Sequence, residues 1–126
     1  MKIDIETIEH KEQPYDTVGN YWEEDGVRYV RVSGMQSEKF EFLVALHELI
    51  EQALCKDRGI TNEQIDDWDI KFEEGRKAGL HGESEPGDAV FCPYRKEHFF
   101  ATNVERLMAA ELGIDWEIYN EIVESL

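Results

Sequence analysis

Cations are scarce in this sequence: 13 Lys and Arg stand against 29 Asp and Glu, giving a formal net charge of -16 at pH 7. Phosphate binding needs a positive surface, so a general affinity for DNA, RNA or an anionic membrane is excluded. Cysteine is equally scarce. Cys55 and Cys92 are too few for a disulfide framework and lack the C-x-x-C spacing of a Cys-based zinc site, so two buried, reduced, unlinked thiols are expected. Long apolar runs are missing, and none approaches the roughly 18 residues of a membrane span. The opening segment MKIDIETIEH also lacks the basic start and apolar stretch of a signal peptide. What remains is 126 residues with 41% hydrophobic side chains, enough for one domain with one core. A single acidic domain, 1–126, cytoplasmic and off the membrane, is the expectation.

The first third has β character. Ile3 and Ile5 alternate onto one face, and Pro14 interrupts the pattern. Residues 18–22 and 27–32 flank Asp25-Gly26, a strong hairpin-turn signal. After Gly34 the period becomes helical. Ser37 suits the N-terminus of a helix over about 37–56, with Gly59 near its end. Thr61 and Gln64 form a capping box for a second helix, with Ile65, Trp68 and Phe72 on one face. Residues 79–90 read as the longest loop. Pro93 precedes a third helix over about 94–112, and Asp115 caps a fourth. The fold class is therefore α+β: a small antiparallel sheet of about three strands from residues 2–33, followed by about four helices.

Two of these helices carry polar residues where apolar ones are expected. At 100° per residue, with Phe40 as zero, Leu49, Phe42, Leu46, Ile50 and Leu43 occupy about 180° to 320°, and Phe40 and Val44 extend the arc to about 40°. His47 and Glu51 fall inside that arc, one helical turn apart. On the third helix, Leu107, Phe100, Val104, Met108, Ala101 and Leu112 form the apolar arc, and His98 and Glu105 lie within it. A buried carboxylate needs a partner or it protonates. An unpaired buried polar group costs about 1–3 kcal/mol, so face-to-face packing that brings the four together is the cheaper arrangement. Two outcomes fit. The four side chains form a closed hydrogen-bonded network, or they hold a divalent metal ion between facing helices.

Residues 47–51, His-Glu-Leu-Ile-Glu, resemble the H-E-x-x-H helix of zincin metallohydrolases. The strands ahead of the helix are similar to what a minimal zincin-like domain has. The resemblance implies a metal-dependent hydrolase using Zn²⁺ or another divalent metal. By position, His47 becomes a ligand, Glu48 the general base, and Glu51 stands where the family has its second His. His98 or Glu105 then supplies a further ligand from the downstream helix, with Glu105 either a fourth ligand or the acceptor that orients His98. A small phage or prophage family is a further expectation, carried by no particular residue.

Two other functions compete. Glu48-x-x-Glu51 is half of the E-x-x-E pattern of Mg²⁺-dependent nucleotide hydrolases, although imidazoles are softer ligands than Mg²⁺ prefers and the β-rich start does not suit an all-helical domain. The charge also suits a non-enzymatic nucleic-acid mimic that occupies a basic protein partner. Among the remaining residues, Glu48 lies at the edge of the polar face, where solvated surface is the simplest assignment. Tyr94, one turn before His98, is either an oxyanion donor or a core tyrosine. Trp22, Trp68 and Trp116 read as core anchors, and the acidic run 63–74 as a solvated face. His10 has no evident partner, and His81 sits in the Gly-rich loop.

Overall fold

The computed structural model of the chain describes every residue except Gln36 and Glu83. Three strands come first: β1 (Lys2–Ile8), β2 (Gly19–Glu24) and β3 (Val27–Ser33). Four helices follow: α1 (Glu38–Asp57), α2 (Asn62–Lys77), α3 (Arg95–Glu111) and α4 (Trp116–Glu124). This is the α+β arrangement that the sequence implies.

The β2–β3 hairpin turns on Asp25 and Gly26, whose φ angles of 51° and 77° are the left-handed values of a tight two-residue turn. Sheet order is β1-β3-β2, with β3 central. The sheet is mixed, not wholly antiparallel. β2 pairs antiparallel to β3, but β1 pairs parallel to it, with Ile3 beside Arg28 and Ile5 beside Val30. β1 and β2 still run in opposite directions. The connection over residues 9–18 is long enough to leave room for β3 between them. Gln13 holds that connection in place: its Nε2 donates to the carbonyls of Val18 and Arg31 and to Ser33 Oγ, all within 3.3 Å. His10, without a partner in the sequence, is fixed here too, with Nδ1 2.9 Å from Ser33 Oγ and Nε2 3.0 Å from Asp16.

One face of the sheet supplies Tyr21, Val30 and Val32 to the core. On the other, Trp22 stacks on Tyr29 at 5.1 Å and the Arg31 guanidinium lies over both rings. Trp22 is thus a surface stacking residue, not a core anchor. α1 covers the core face, sending Leu43, Val44 and Cys55 into it. Its start is capped by Ser37 Oγ, which accepts from the Phe40 amide. The Thr61–Gln64 capping box opens α2 as expected, and Asp115 accepts from the Glu117 and Ile118 amides at the head of α4. Cys55 and Cys92 are buried and unlinked. Among the described residues no helix is long and apolar enough to cross a membrane.

α1 and α3 pack antiparallel, the reach of His47 to Glu105 and of Glu51 to His98 setting the register. Their contact differs from the expected apolar seam. On α3 the buried residues are Glu97, His98, Ala101, Glu105 and Ala109, while Phe100 and Leu107 stay 53% and 69% exposed. Ala101 and Ala109 leave room for the helices to approach closely, and the polar side chains occupy the space between them.

Candidate metal centre

The α1–α3 register places His47 and Glu51 of α1 against His98 and Glu105 of α3. All four are buried. His47 Nε2 lies 3.0 Å from Glu51 Oε2 and 3.1 Å from His98 Nδ1, and His98 Nδ1 lies 3.0 Å from the same Glu51 oxygen. Three potential ligand atoms thus converge from two helices. A tetrahedral zinc with bonds of about 2.0–2.1 Å keeps its ligand atoms about 3.3 Å apart. The triangle needs to open by only a few tenths of an ångström to admit such an ion.

The atoms behind this triangle are also accounted for. His47 Nδ1 lies 2.8 Å from Glu105 Oε1, and the other Glu105 oxygen accepts from Tyr119 OH at 2.5 Å. Tyr21 OH donates to Glu51 Oε1 at 2.9 Å, leaving Oε2 for the triangle. Glu85 Oε2 lies 3.2 Å from His98 Nε2 as a charge partner, although the pair is not aligned as a hydrogen bond. Each imidazole therefore points one nitrogen inward and has a carboxylate beside the other, the arrangement that fixes ring orientation in metal-binding histidines. Glu105 stands behind His47, where the expectation had it as a fourth ligand or behind His98. The antiparallel register accounts for this, because it sets Glu105 opposite His47 and His98 opposite Glu51.

The electrostatics follow from that packing. Burial pushes the His47 imidazole toward neutrality, but the hydrogen bonds to Glu105 and Glu51 outweigh it and hold its pKa well above the ordinary value. For His98, burial opposes charge in the same way, yet Glu51 and Glu85 raise its pKa to about 10. Burial alone raises Glu51, and the two imidazoles overcome this and bring it down to about 2. Without an ion the cluster is a closed set of compensating charges. An ion bound there would take the place of the imidazole protons and release them.

The triangle opens onto a cavity of about 770 Å³. Glu48 lines this cavity, although its place at the edge of the polar face suggested solvated surface. Its side chain lies against Gly19 of β2, where a Cβ atom would come within 2.6 Å of Glu48 Cγ, so glycine at that position is what admits it. Burial, reinforced by the charge of Glu51, lifts its carboxyl to about 8. On the opposite wall the turn Pro86–Asp88 presses on His98: Gly87 packs flat against the imidazole, and Trp68 Nε1 donates to Pro86 O at 2.9 Å, tying the turn to α2. Tyr94 is buried beside His98, its ring edge-on at 6.2 Å.

Two parts of the site escaped the sequence. Asp69 is buried within the acidic run expected to be solvated. It accepts from Tyr94 OH and from Tyr15 OH, the latter at 3.0 Å, and burial raises its carboxyl to about 7. A signal for it existed, since Ile65, Asp69 and Phe72 fall at i, i+4 and i+7 on one helix face. Glu85 and Asp88, which with His98 Nε2 form a second cluster of potential ligands, lie in the loop and carry no periodicity. His81 stacks on Phe72 at 3.9 Å, away from these groups. No family model, curated protein or solved structure matches the chain.

Proposed function

We propose that the chain is a metal-dependent hydrolase of zincin-like type, with one divalent ion held by His47 Nε2, Glu51 Oε2 and His98 Nδ1. The observation that carries this is the convergence of those three atoms to within 3.0–3.1 Å of one another, with carboxylates beside the outer nitrogens of both imidazoles. Two nitrogens and one carboxylate oxygen suit Zn²⁺, and two imidazoles weigh against Mg²⁺. When bound, such an ion polarises a substrate carbonyl or a water molecule.

The chain's own residues do the rest. Glu48, next to His47 in sequence and lining the cavity, has its carboxyl lifted to about 8 in the metal-free chain. A cation held by the triangle would lower it, and the carboxylate would then take a proton from the attacking water and return it to the leaving group. Glu105 and Glu85 hold the imidazoles in orientation, and Tyr21 keeps Glu51 turned so that one oxygen faces inward. Burial of the cluster between α1 and α3 strengthens each of these interactions by limiting water.

The test is calorimetric titration of the metal-free protein with Zn²⁺, alongside hydrolysis of a panel of peptide and ester substrates. The expected result is one ion per chain, binding weakened by at least about 100-fold in His98→Ala, and Glu48→Gln binding the ion normally while losing hydrolysis. Binding that is equal in wild type and His98→Ala removes the metal site. Normal binding without hydrolysis of any substrate leaves a metal-binding protein and overturns the hydrolase assignment. Retention by a basic protein partner, lost at moderate salt, would then favour an acidic binder.

A further inference from the structure

The helix pair that builds the metal centre has a second side. His47, Glu51, His98 and Glu105 point toward the sheet and the cavity. Half a turn away, Phe42 and Leu49 of α1 and Phe100 and Leu107 of α3 point outward, with Leu46 and Val104 between them and the seam. Because the helices are antiparallel and each buries the opposite arc, the two outward arcs lie side by side on one face. Phe42 is 50% exposed, Phe100 53% and Leu107 69%. A contiguous face of this kind on an isolated chain marks an interaction surface.

The charge of the face suits a second copy as its occupant. At the end of the pair formed by the start of α1 and the close of α3, Lys39 stands with Glu38 and Glu111. At the other end Arg58 is paired with Glu97 at 2.7 Å and Lys56 with Glu23 of the hairpin, Arg95 donates to the Asp88 carbonyl of the loop, and Lys96 stands with Asp57. The face therefore carries an excess of only one carboxylate, although the chain carries -16. Two copies of a chain with a net charge of -16 repel one another, and a nearly neutral face is where that repulsion is least.

The area is adequate as well. A phenylalanine presents about 200 Å². Phe42 and Phe100 thus contribute about 100 Å² each, and with the leucines and Val104 the face offers about 400–500 Å² of apolar surface per copy. That matches the apolar share of a standard interface of about 800 Å² per partner.

We infer that the outer face of α1 and α3 is a homodimer interface, in which two copies stack their helix pairs into a four-helix layer with both cavities facing outward. The inference does not depend on the metal assignment. Its test is the solution mass of the full chain by sedimentation or light scattering over about a hundredfold range of concentration. The expected mass is twice the 14.7 kDa of one chain. Phe100→Glu and Leu107→Glu, both at exposed positions that leave the monomer fold intact, are expected to give the single-chain mass with unchanged circular dichroism. Phe91→Glu is the control, 86% exposed but on the loop, and it is expected to stay dimeric. A wild-type mass of one chain throughout the range overturns the inference. So does a dimer that survives both α3 substitutions, or one that Phe91→Glu also dissociates.

Discussion

The inner and outer sides of the α1–α3 pair reverse the usual distribution of polarity. The inner side buries two imidazoles and two carboxylates; the outer side leaves two phenylalanines and a leucine at least half exposed. A helix pair built only for stability would turn the other way, because burying large apolar side chains contributes about 1.5–3 kcal/mol each. Enclosed ion pairs, by contrast, roughly balance their attraction against lost hydration. The inversion is understandable if each side answers to something outside the chain. The inner polar groups then exchange protons for an ion, and the outer apolar groups meet a second copy.

The largest expected effect that sharpens this comparison lies on the inner side. Glu105 touches the inward triangle only through His47. Glu105→Gln keeps the shape and a hydrogen-bond acceptor but removes the charge, and zinc affinity measured by competition with a chelator is expected to fall about 10–100-fold. An unchanged affinity would make Glu105 a purely structural partner of His47 and Tyr119. On the outer side, Leu107→Glu is expected to leave zinc affinity within about twofold of wild type, since additivity holds for separate sites. A larger loss in the same chelator competition would mean that the two sides are coupled and the contrast between them false.

The smallest effect concerns Asp69. Its carboxyl holds its proton to about pH 7 in the folded chain, against about 4 when unfolded. The folded state therefore binds more protons between those values, and Asp69 makes the protein lose stability as pH rises from about 4 to 7. Asp69→Asn has no such proton to release. Its melting temperature, followed by circular dichroism across that window, is expected to gain on wild type as pH rises. A constant difference between the two profiles would place the Asp69 pKa near its ordinary value.

Periodicity made much of this legible. The Asp25-Gly26 turn, the Thr61–Gln64 capping box and the order of strands before helices all follow from local rules. So does the placing of His47, Glu51, His98 and Glu105 on buried arcs, because one residue type interrupting a helical stripe is visible in one dimension. The parallel pairing of β1 was not visible, since alternation is the same for either strand direction, and the pairing depends on how far the 9–18 connection reaches. Asp69 was hidden by its acidic neighbours, although it sits on the stripe of Ile65 and Phe72. Glu85 and Gly87 meet His98 through a loop whose path is set by Trp68 and Pro86, a tertiary contact with no sequence period. Nor does an apolar arc say which half of itself is covered, and so Phe100 and Leu107 read as core.

X-ray absorption at the zinc edge on the reconstituted full-length protein tests the central claim most directly. The account predicts one zinc per chain with two imidazole nitrogens and at least one carboxylate oxygen in its coordination shell at about 2.0–2.2 Å, and loss of one imidazole contribution in His47→Ala or His98→Ala. A protein that retains no zinc, or one whose zinc is surrounded by oxygen alone, would contradict it.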